Sequence, residues 1–183
     1  TPAATSAQFS FTKKLEGKTL EADAFTFELL ENGHVIQTKK NAADGSITFD
    51  AIEYSAEGEH TYTVREKAGD DTNIDYDSMT IAVKVTVTKD ITTGLLSAKT
   101  GMTALGGEAT GTDDTIFNNY FVAPVKAQFN FTKKLDGREL KAGEFSFVLK
   151  DEKGNVIETV TNDVTGKIQF SALTFKRGQE GTY

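Results

Sequence analysis

The sequence contains no cysteine among its 183 residues. Disulfide bonds, catalysis by a thiolate and zinc sites built on sulfur are therefore excluded. The absence leaves the cellular compartment open, because a cytosolic protein and a secreted protein without disulfides are both compatible with it.

Positive charge is also scarce. The 20 Lys and Arg residues face 27 Asp and Glu residues, which gives a net charge of −7 and a pI near 4.9. Such a chain offers no basic stripe to nucleic acid and no attraction to an anionic membrane surface. No apolar run approaches the length of a membrane span, and residues 1–6 lack the composition of a signal peptide, so we expect them to form an interdomain linker. The 38% hydrophobic content, with 13 Phe, suffices for a globular core.

Patterns typical of metal sites and hydrolytic enzymes are missing as well. The acidic stretch at residues 70–77 lacks the Asp-x-Asp-x-Asp-Gly order of a calcium loop. The two histidines, His34 and His60, have no cysteine or serine arrangement around them. We therefore predict no cofactor, no metal site and no hydrolytic triad.

What the chain does contain is an internal repeat. Residues 7–18 return almost unchanged as residues 127–138, and further matches follow in the same order to the last residue. A spacing of about 120 residues is too long for a solenoid unit and predicts tandem domains, the second cut about halfway. The two prolines each precede a repeat, as expected of linkers. The predicted organisation is a linker at 1–6, a complete repeat at 7–122, a linker at 123–127 and a truncated second repeat at 128–183.

Nearly every segment of the first repeat has the alternation of a β-strand. The clearest, residues 80–87, turns four aliphatic side chains to one face. The turn signals Asn32-Gly33 and Asp44-Gly45 predict two hairpins, and a short helix between residues 101 and 111 is left open. Seven or more short strands with frequent turns predict an all-β fold, an immunoglobulin-like β-sandwich.

Three polar residues share the inward faces of these strands. By the alternation, Lys13 follows two phenylalanines inward on the first strand, Glu66 follows a tyrosine and a valine, and Asn119 lies between two phenylalanines on the last strand. The competing residues are Lys14, which shares a face with polar side chains, and Asn118, and the alternation favours the first set. An unpaired ammonium in a core is costly, so we expect Lys13 to meet a partner there.

An apolar surrounding would change the chemistry of these three groups. Desolvation lowers the pKa of a lysine and raises that of a glutamate, so the pair can exist as a neutral amine and a neutral acid. The amine is then a nucleophile, and the carboxamide of Asn119 is an electrophile once its oxygen is polarised. We expect protonated Glu66 to donate to that oxygen and then to pass a proton to the departing ammonia, which predicts a Lys13–Asn119 amide bond. The alternative is a plain buried salt bridge between Lys13 and Glu66.

These residues lie in motifs that resemble a known family, the streptococcal pilin isopeptide-linkage repeat, a relative of the B-type domains of Gram-positive collagen adhesins. The motifs are Phe-x-Phe-Thr-Lys13, Tyr-Thr-Val-x-Glu66, Asp75-Tyr76-Asp77 and Phe117-Asn118-Asn119-Tyr120. The resemblance implies a spontaneous lysine–asparagine cross-link between the first and last strands, assisted by the glutamate. The second repeat ends before its glutamate and asparagine, so we expect Lys133 to lack a cross-linking partner in this chain.

The resemblance also implies a function: a structural stalk or shaft repeat of a pilus or wall-anchored adhesin, on the extracellular surface of a Gram-positive bacterium. Its expected partners are neighbouring repeats of the same surface protein and, through other domains, host surface ligands; nucleic acid and membrane are not among them. A bond that forms once per molecule does not make the protein an enzyme. The alternative is a ligand-binding adhesin module on the same fold, although near-identical tandem copies favour a spacer. We expect residues 128–183 to fold only partly or to borrow strands from a neighbour.

Overall fold

A computed structural model describes residues 4–176, 178–179 and 181–183 of the chain. Within these ranges every regular element is a β-strand, which confirms the predicted all-β fold. This part of the chain has no helix whose length and apolar character would let it cross a membrane. The chain divides into two compact units, Thr1–Phe121 and Val122–Tyr183.

The first unit has eleven described strands. They are β1 (Thr5–Ala7), β2 (Ser10–Glu16), β3 (Thr26–Glu31), β4 (His34–Lys40), β5 (Ser46–Thr48), β6 (Ile52–Tyr54), β7 (Gly58–Lys67), β8 (Ile74–Asp75), β9 (Thr80–Lys89), β10 (Leu96–Leu105) and β11 (Ile116–Phe121).

Two sheets of these strands enclose one core, as expected of the predicted sandwich. One sheet has the order β10-β9-β7-β3-β4 and the other β5-β2-β11-β8, while β1 and β6 pair separately. The alternating strands send their apolar side chains into a single buried cluster drawn from both sheets. All four aliphatic side chains of residues 80–87 that the alternation turned inward belong to this cluster.

The two predicted hairpins have different outcomes. Asn32 and Gly33, both with positive φ, connect β3 and β4, which pair antiparallel. The prediction of a hairpin at Asp44-Gly45 is wrong, because β4 and β5 do not pair with each other. Strand β4 is the edge strand of one sheet, and β5 pairs with β2 in the other. The signal marks a tight turn, but the turn carries the chain from one sheet to the other. The stretch left open for a helix begins with the end of β10 and continues in turns.

The first and last long strands of the sandwich are neighbours. Strands β2 and β11 run parallel, with Lys13 opposite Phe117 and Leu15 opposite Asn119. They are the two inner strands of the four-stranded sheet, and β7 is the middle strand of the other. Side chains that point inward from β2, β11 and β7 therefore meet at the centre of the core.

The second unit contains six described strands in three two-stranded sheets: β12 (Val125–Ala127) with β17 (Leu173–Phe175), β13 (Asn130–Thr132) with β16 (Lys167–Gln169), and β14 (Ser146–Lys150) with β15 (Val156–Thr161). Leu149, Ile168 and Phe170 form its small buried core.

Local contacts of the first repeat recur in the second unit. Asn41 accepts a hydrogen bond from the Phe25 N–H, and Asn162 accepts the equivalent bond from the Phe145 N–H, both at 2.8 Å. The sequence repeat is thus matched by a structural one at these positions.

Strands occupy part of both predicted linkers. Thr5 and Ser6 pair with β6, and β12 covers three residues of the second linker. Pro2 and the rest of residues 1–3 lie outside the described residues.

Candidate functional site

Two side chains converge on one carboxylate in the core of the first unit. Lys13 Nζ lies 2.8 Å from Glu66 Oε2, and Asn119 Nδ2 donates a hydrogen bond to Glu66 Oε1 at 2.6 Å. The side chains of Lys13 and Glu66 are fully buried, and Asn119 is 0% exposed. The structure therefore brings together all three residues singled out in the sequence, and Glu66 bridges the other two.

The strand alternation decides which lysine and which asparagine enter. Lys13 is 1% exposed, whereas its neighbour Lys14 is exposed. Asn119 is buried, and Asn118 is only partly covered. Because β2 and β11 are adjacent and parallel, the two inward side chains start from neighbouring backbones and reach the same point.

Aromatic rings line the site. Lys13 Nζ lies 4.7 Å from the centroid of the Phe25 ring and 5.9 Å from that of Phe27. Phe117 lies two residues before Asn119, on the same face of β11. Its ring centroid is 5.3 Å from that of Phe27 and 6.2 Å from that of Phe11. The rings exclude water, and their faces are attractive to a cation.

Burial shifts the pKa values of Lys13 and Glu66 in opposite directions. Desolvation lowers the pKa of Lys13 from its ordinary value, and the attraction and hydrogen bond of Glu66 oppose that shift. Desolvation likewise raises the pKa of Glu66, against the opposing influence of Lys13 and Asn119. Both shifts bring the neutral amine and the neutral acid closer in energy to the ion pair.

Asp77 supplies a contact that the sequence did not predict. Its main-chain N–H donates to Oδ1 of Asn119 at 2.7 Å. We expected Glu66 to polarise this oxygen, but Glu66 faces the nitrogen of the carboxamide and the Asp77 N–H faces the oxygen. The motif Asp75-Tyr76-Asp77 was the only signal here, and side-chain patterns cannot reveal which main-chain N–H groups point into a core.

The arrangement has the parts of an acyl transfer. Lys13 is the potential nucleophile, the carboxamide carbon of Asn119 the electrophile, and the Asp77 N–H a donor to the oxygen that would gain charge. Glu66 touches both the attacking nitrogen and the nitrogen that would leave. A carboxyl group in that position can relay a proton between them.

The lysine of the second repeat has a similar local setting. Lys133 Nζ lies 4.6 Å from the centroid of the Phe145 ring, as Lys13 lies over Phe25. Its N–H donates to the Gly166 carbonyl at 2.7 Å, the same length as the bond from Lys13 to Gly45. In the part of the chain that the structure describes, no group of three or more His, Asp or Glu side chains is arranged to hold a metal ion.

Fold and site together define a class of protein, a β-sandwich whose core holds a lysine and an asparagine in contact with one glutamate. The family model of the Spy0128-like isopeptide-containing domain, FctA, matches residues 9–122. The chain belongs to this family, which confirms the resemblance to the streptococcal pilin isopeptide repeat inferred from the motifs.

Solved structures of low identity were also found. The major pilin T-13 of Streptococcus pyogenes is 16% identical, with 94% of this chain and 75% of that chain covered and a TM-score of 0.45. The S. pyogenes major pilin T3.2 is 17% identical, with coverages of 96% and 76% and a TM-score of 0.41. The Bacillus anthracis TIE protein is 15% identical, with coverages of 93% and 26% and a TM-score of 0.35. A comparison with curated proteins found no match.

Proposed function

We propose that the first repeat is a structural stalk or shaft repeat of a Gram-positive pilus or surface adhesin, stabilised by a spontaneous isopeptide bond between Lys13 and Asn119. The observation that carries the proposal is the bridging carboxylate of Glu66, which lies 2.8 Å from Lys13 Nζ and 2.6 Å from Asn119 Nδ2 inside a dry core. Membership of a family of isopeptide-containing domains supports it.

The reaction is an exchange of one amine for another on the carboxamide carbon. The lone pair of neutral Lys13 Nζ attacks Cγ of Asn119, and the carbonyl electrons move onto Oδ1, which the Asp77 N–H stabilises. Protonated Glu66 gives its proton to Nδ2, the Cγ–Nδ2 bond breaks, and ammonia leaves. The Glu66 carboxylate then takes a proton from Nζ, so that Glu66 ends as it began.

The positioning of the reacting groups accounts for much of the expected rate enhancement. Holding reacting groups in contact can lower a barrier by roughly 7–11 kcal/mol, because the entropy of bringing them together is lost during folding rather than during the reaction. The folding of the sandwich brings Lys13 and Asn119 against the same carboxylate, that of Glu66. No separate enzyme is then needed, and the reaction happens once per molecule.

The bond suits a load-bearing role. It closes a loop of roughly 100 residues between the first and last long strands, which on the chain-entropy estimate is worth about 5 kcal/mol. A chain without cysteine would gain in this way what other extracellular proteins gain from disulfides. We place the protein on the outside of a Gram-positive cell, with neighbouring repeats as its partners, and keep the domain limits of 7–122 and 128–183.

Intact mass spectrometry of the whole chain tests the proposal. We expect the wild-type mass to lie one ammonia below the sequence mass, and a digest to yield one branched peptide joining the segments around Lys13 and Asn119. The deficit should be one ammonia and not two, because Lys133 has no partner asparagine in this chain. Glu66→Gln, Lys13→Arg and Asn119→Ala should each restore the full sequence mass.

Lys14→Arg and Asn118→Ala are the matched controls, since they replace the neighbouring residues of the same types. Both should keep the mass deficit. A wild-type protein with the full sequence mass would overturn the proposal, and a deficit that survives Asn119→Ala would assign the bond to another residue.

A further inference from the structure

We infer that Asp77 is a positioning residue for this reaction: its side chain fixes the loop whose main-chain N–H holds the carboxamide oxygen of Asn119. The inference rests on the proposed isopeptide chemistry and extends it to a residue with no other assigned role. It starts from the hydrogen bond of 2.7 Å between the Asp77 N–H and Asn119 Oδ1.

The carboxylate of Asp77 is buried, and both of its oxygens accept hydrogen bonds from main-chain N–H groups. Asp77 is 3% exposed. Its Oδ1 accepts the N–H groups of Met79 at 2.8 Å and Glu108 at 3.0 Å, and its Oδ2 accepts the N–H of Asn118 at 2.8 Å. One side chain thus ties together its own loop, the loop after β10 and the strand β11 that carries Asn119.

These bonds determine which way the carboxamide points. The Asp77 carboxylate accepts the main-chain N–H of Asn118. The main-chain N–H of Asp77 donates to the side-chain oxygen of the next residue, Asn119. The nitrogen of Asn119 consequently faces Glu66, which accepts its hydrogen. A flipped carboxamide would set its NH₂ against the Asp77 N–H, two donors without an acceptor.

The orientation matters because the two atoms have different fates. The oxygen gains negative charge as the amine attacks, and a preorganised N–H donor in a dry site stabilises that charge. The nitrogen must receive a proton, and Glu66 is the group that can supply it. Asp77 therefore sets both halves of the reaction without touching Lys13.

The loop after β10 is built to reach Asp77. Gly107 has a φ of 52°, and a Cβ at this position would collide with the Met79 nitrogen and the Asp77 carboxylate. The missing side chain lets the following N–H, that of Glu108, approach Oδ1.

The chain offers a matched control in Asp114. It is also buried, at 9% exposed, and its carboxylate accepts the N–H groups of Thr110 and Ile116 at 2.9 Å near the start of the same strand. Unlike Asp77, Asp114 makes no described hydrogen bond to Lys13, Glu66 or Asn119. Its loss should weaken the fold without disturbing the carboxamide.

The test follows bond formation in time. Wild type, Asp77→Asn, Asp77→Ala and Asp114→Asn are made by cell-free translation; synthesis is stopped, and samples quenched in acid are weighed by mass spectrometry. We expect the loss of ammonia to slow by about 100-fold in the Asp77 variants, the order expected when a reacting group is misplaced or an oxyanion donor is lost. Asp114→Asn should react at the wild-type rate.

A purely structural role is separated by two further measurements. Each substitution is repeated in an Asn119→Ala chain, which cannot form the bond, and its unfolding free energy is measured; Asp77→Asn and Asp114→Asn should lose comparable stability. In Asp77→Asn the pH profile of the rate should lose height and also move to lower pH, because the Asp77 carboxylate raises the pKa of both Lys13 and Glu66.

Equal rates for folded wild type and folded Asp77→Asn would overturn the role of Asp77, as would slowing by Asp114→Asn to the same degree. If Asp77→Ala does not fold, Asp77→Asn and Gly107→Ala, which keeps the carboxylate but crowds it, decide the question. Absence of ammonia loss in the wild type would instead overturn the proposed function itself.

Discussion

Removal from water shifts the pKa of both Lys13 and Glu66, and the contact between the two side chains opposes both shifts. The neutral form of the pair therefore lies closer in energy to the ion pair than it would in water, although the attraction within the pair opposes the cost of burying two ions. A surface salt bridge would keep Lys13 protonated and unreactive. Burial instead favours the neutral amine, which is the reactive form.

Removing Lys13 should expose the pH dependence of Glu66. In Lys13→Met the buried acid keeps the desolvation that raises its pKa and loses the contact that lowers it. The folded protein then binds more protons than the unfolded chain above the ordinary value of 4.5. The contribution of Glu66 to stability should be fully present below that pH and be lost as the pH rises through the raised pKa, which thermal unfolding at a series of pH values would measure.

Lys13→Met with Glu66→Gln is the control for this prediction, since it removes the titrating group and keeps every other carboxylate. Its melting temperature should fall less between pH 4 and pH 7 than that of the single variant. Parallel curves for the two proteins would show that Glu66 does not titrate as a buried acid.

For single residues, the sequence predicts which side chains point into the core but not which hydrogen-bond partners they find there. The alternation of β2, β7 and β11 is sufficient to send Lys13, Glu66 and Asn119 inward. It does not reveal that Glu66 takes the nitrogen of the carboxamide and Asp77 the oxygen, because that choice depends on a main-chain N–H in a loop without periodicity.

Among the elements, the turn between β4 and β5 contacts the strand that carries Lys13. Gly45 has a φ of 88°, and its carbonyl accepts the Lys13 N–H at 2.7 Å. A Cβ on Gly45 would overlap the carbonyl oxygen of Lys13. The turn therefore presses against the backbone of β2 at the very residue whose side chain enters the core.

Gly45→Ala should destabilise the first unit more than Gly94→Ala. Both glycines have positive φ, so both variants carry a cost of about 1–2 kcal/mol for the left-handed conformation. Only Gly45 also lacks room, which adds about 1–3 kcal/mol, because Gly94 has nothing closer than 3.9 Å. Denaturant unfolding in the Asn119→Ala chain measures both without the cross-link, and equal losses would contradict the close approach at Lys13.

The same turn shows where element-level prediction stops. Asp44 and Gly45 correctly announce a reversal of the chain, and Ser46 and Ile47 correctly alternate into the next strand. Whether that strand pairs with the preceding one is decided by contacts with β2, which are distant in sequence. Local turn chemistry specifies the bend but not the sheet that receives the chain.

At the scale of the whole molecule, the proposed bond between Lys13 and Asn119 should stabilise the first unit by about 5 kcal/mol. A double-mutant cycle isolates it. Glu66→Gln and Asn119→Ala each abolish the bond, and the double variant loses it only once. The two single losses of unfolding free energy should therefore exceed the loss in the double variant by about that amount, measured by denaturant unfolding.

A coupling energy of only about 1–2 kcal/mol would match the hydrogen bond between the two side chains and no covalent contribution. A second cycle with Lys14→Arg and Asn118→Ala provides the baseline, because these residues neighbour Lys13 and Asn119 and take no part in the proposed reaction.

The repeat was the most reliable global feature of the sequence. Asn162 and Gly166 reproduce the contacts of Asn41 and Gly45, so equivalent residues make equivalent structure in both units. The pairing within the second unit could not be predicted in the same way, because the sequence of the second repeat reaches only the start of the segment equivalent to β7 and contains no equivalents of β9 and β11.

The parallel pairing of β2 and β11 has a mechanical meaning. A pull on the two ends of this unit would draw β2 backward and β11 forward, so the strands would have to slide past each other with all their hydrogen bonds strained together, instead of unzipping one bond at a time. A covalent link between Lys13 and Asn119 would remove even that sliding. The hundred or so residues between them would then carry no tension, and the unit would transmit force as an inextensible rod.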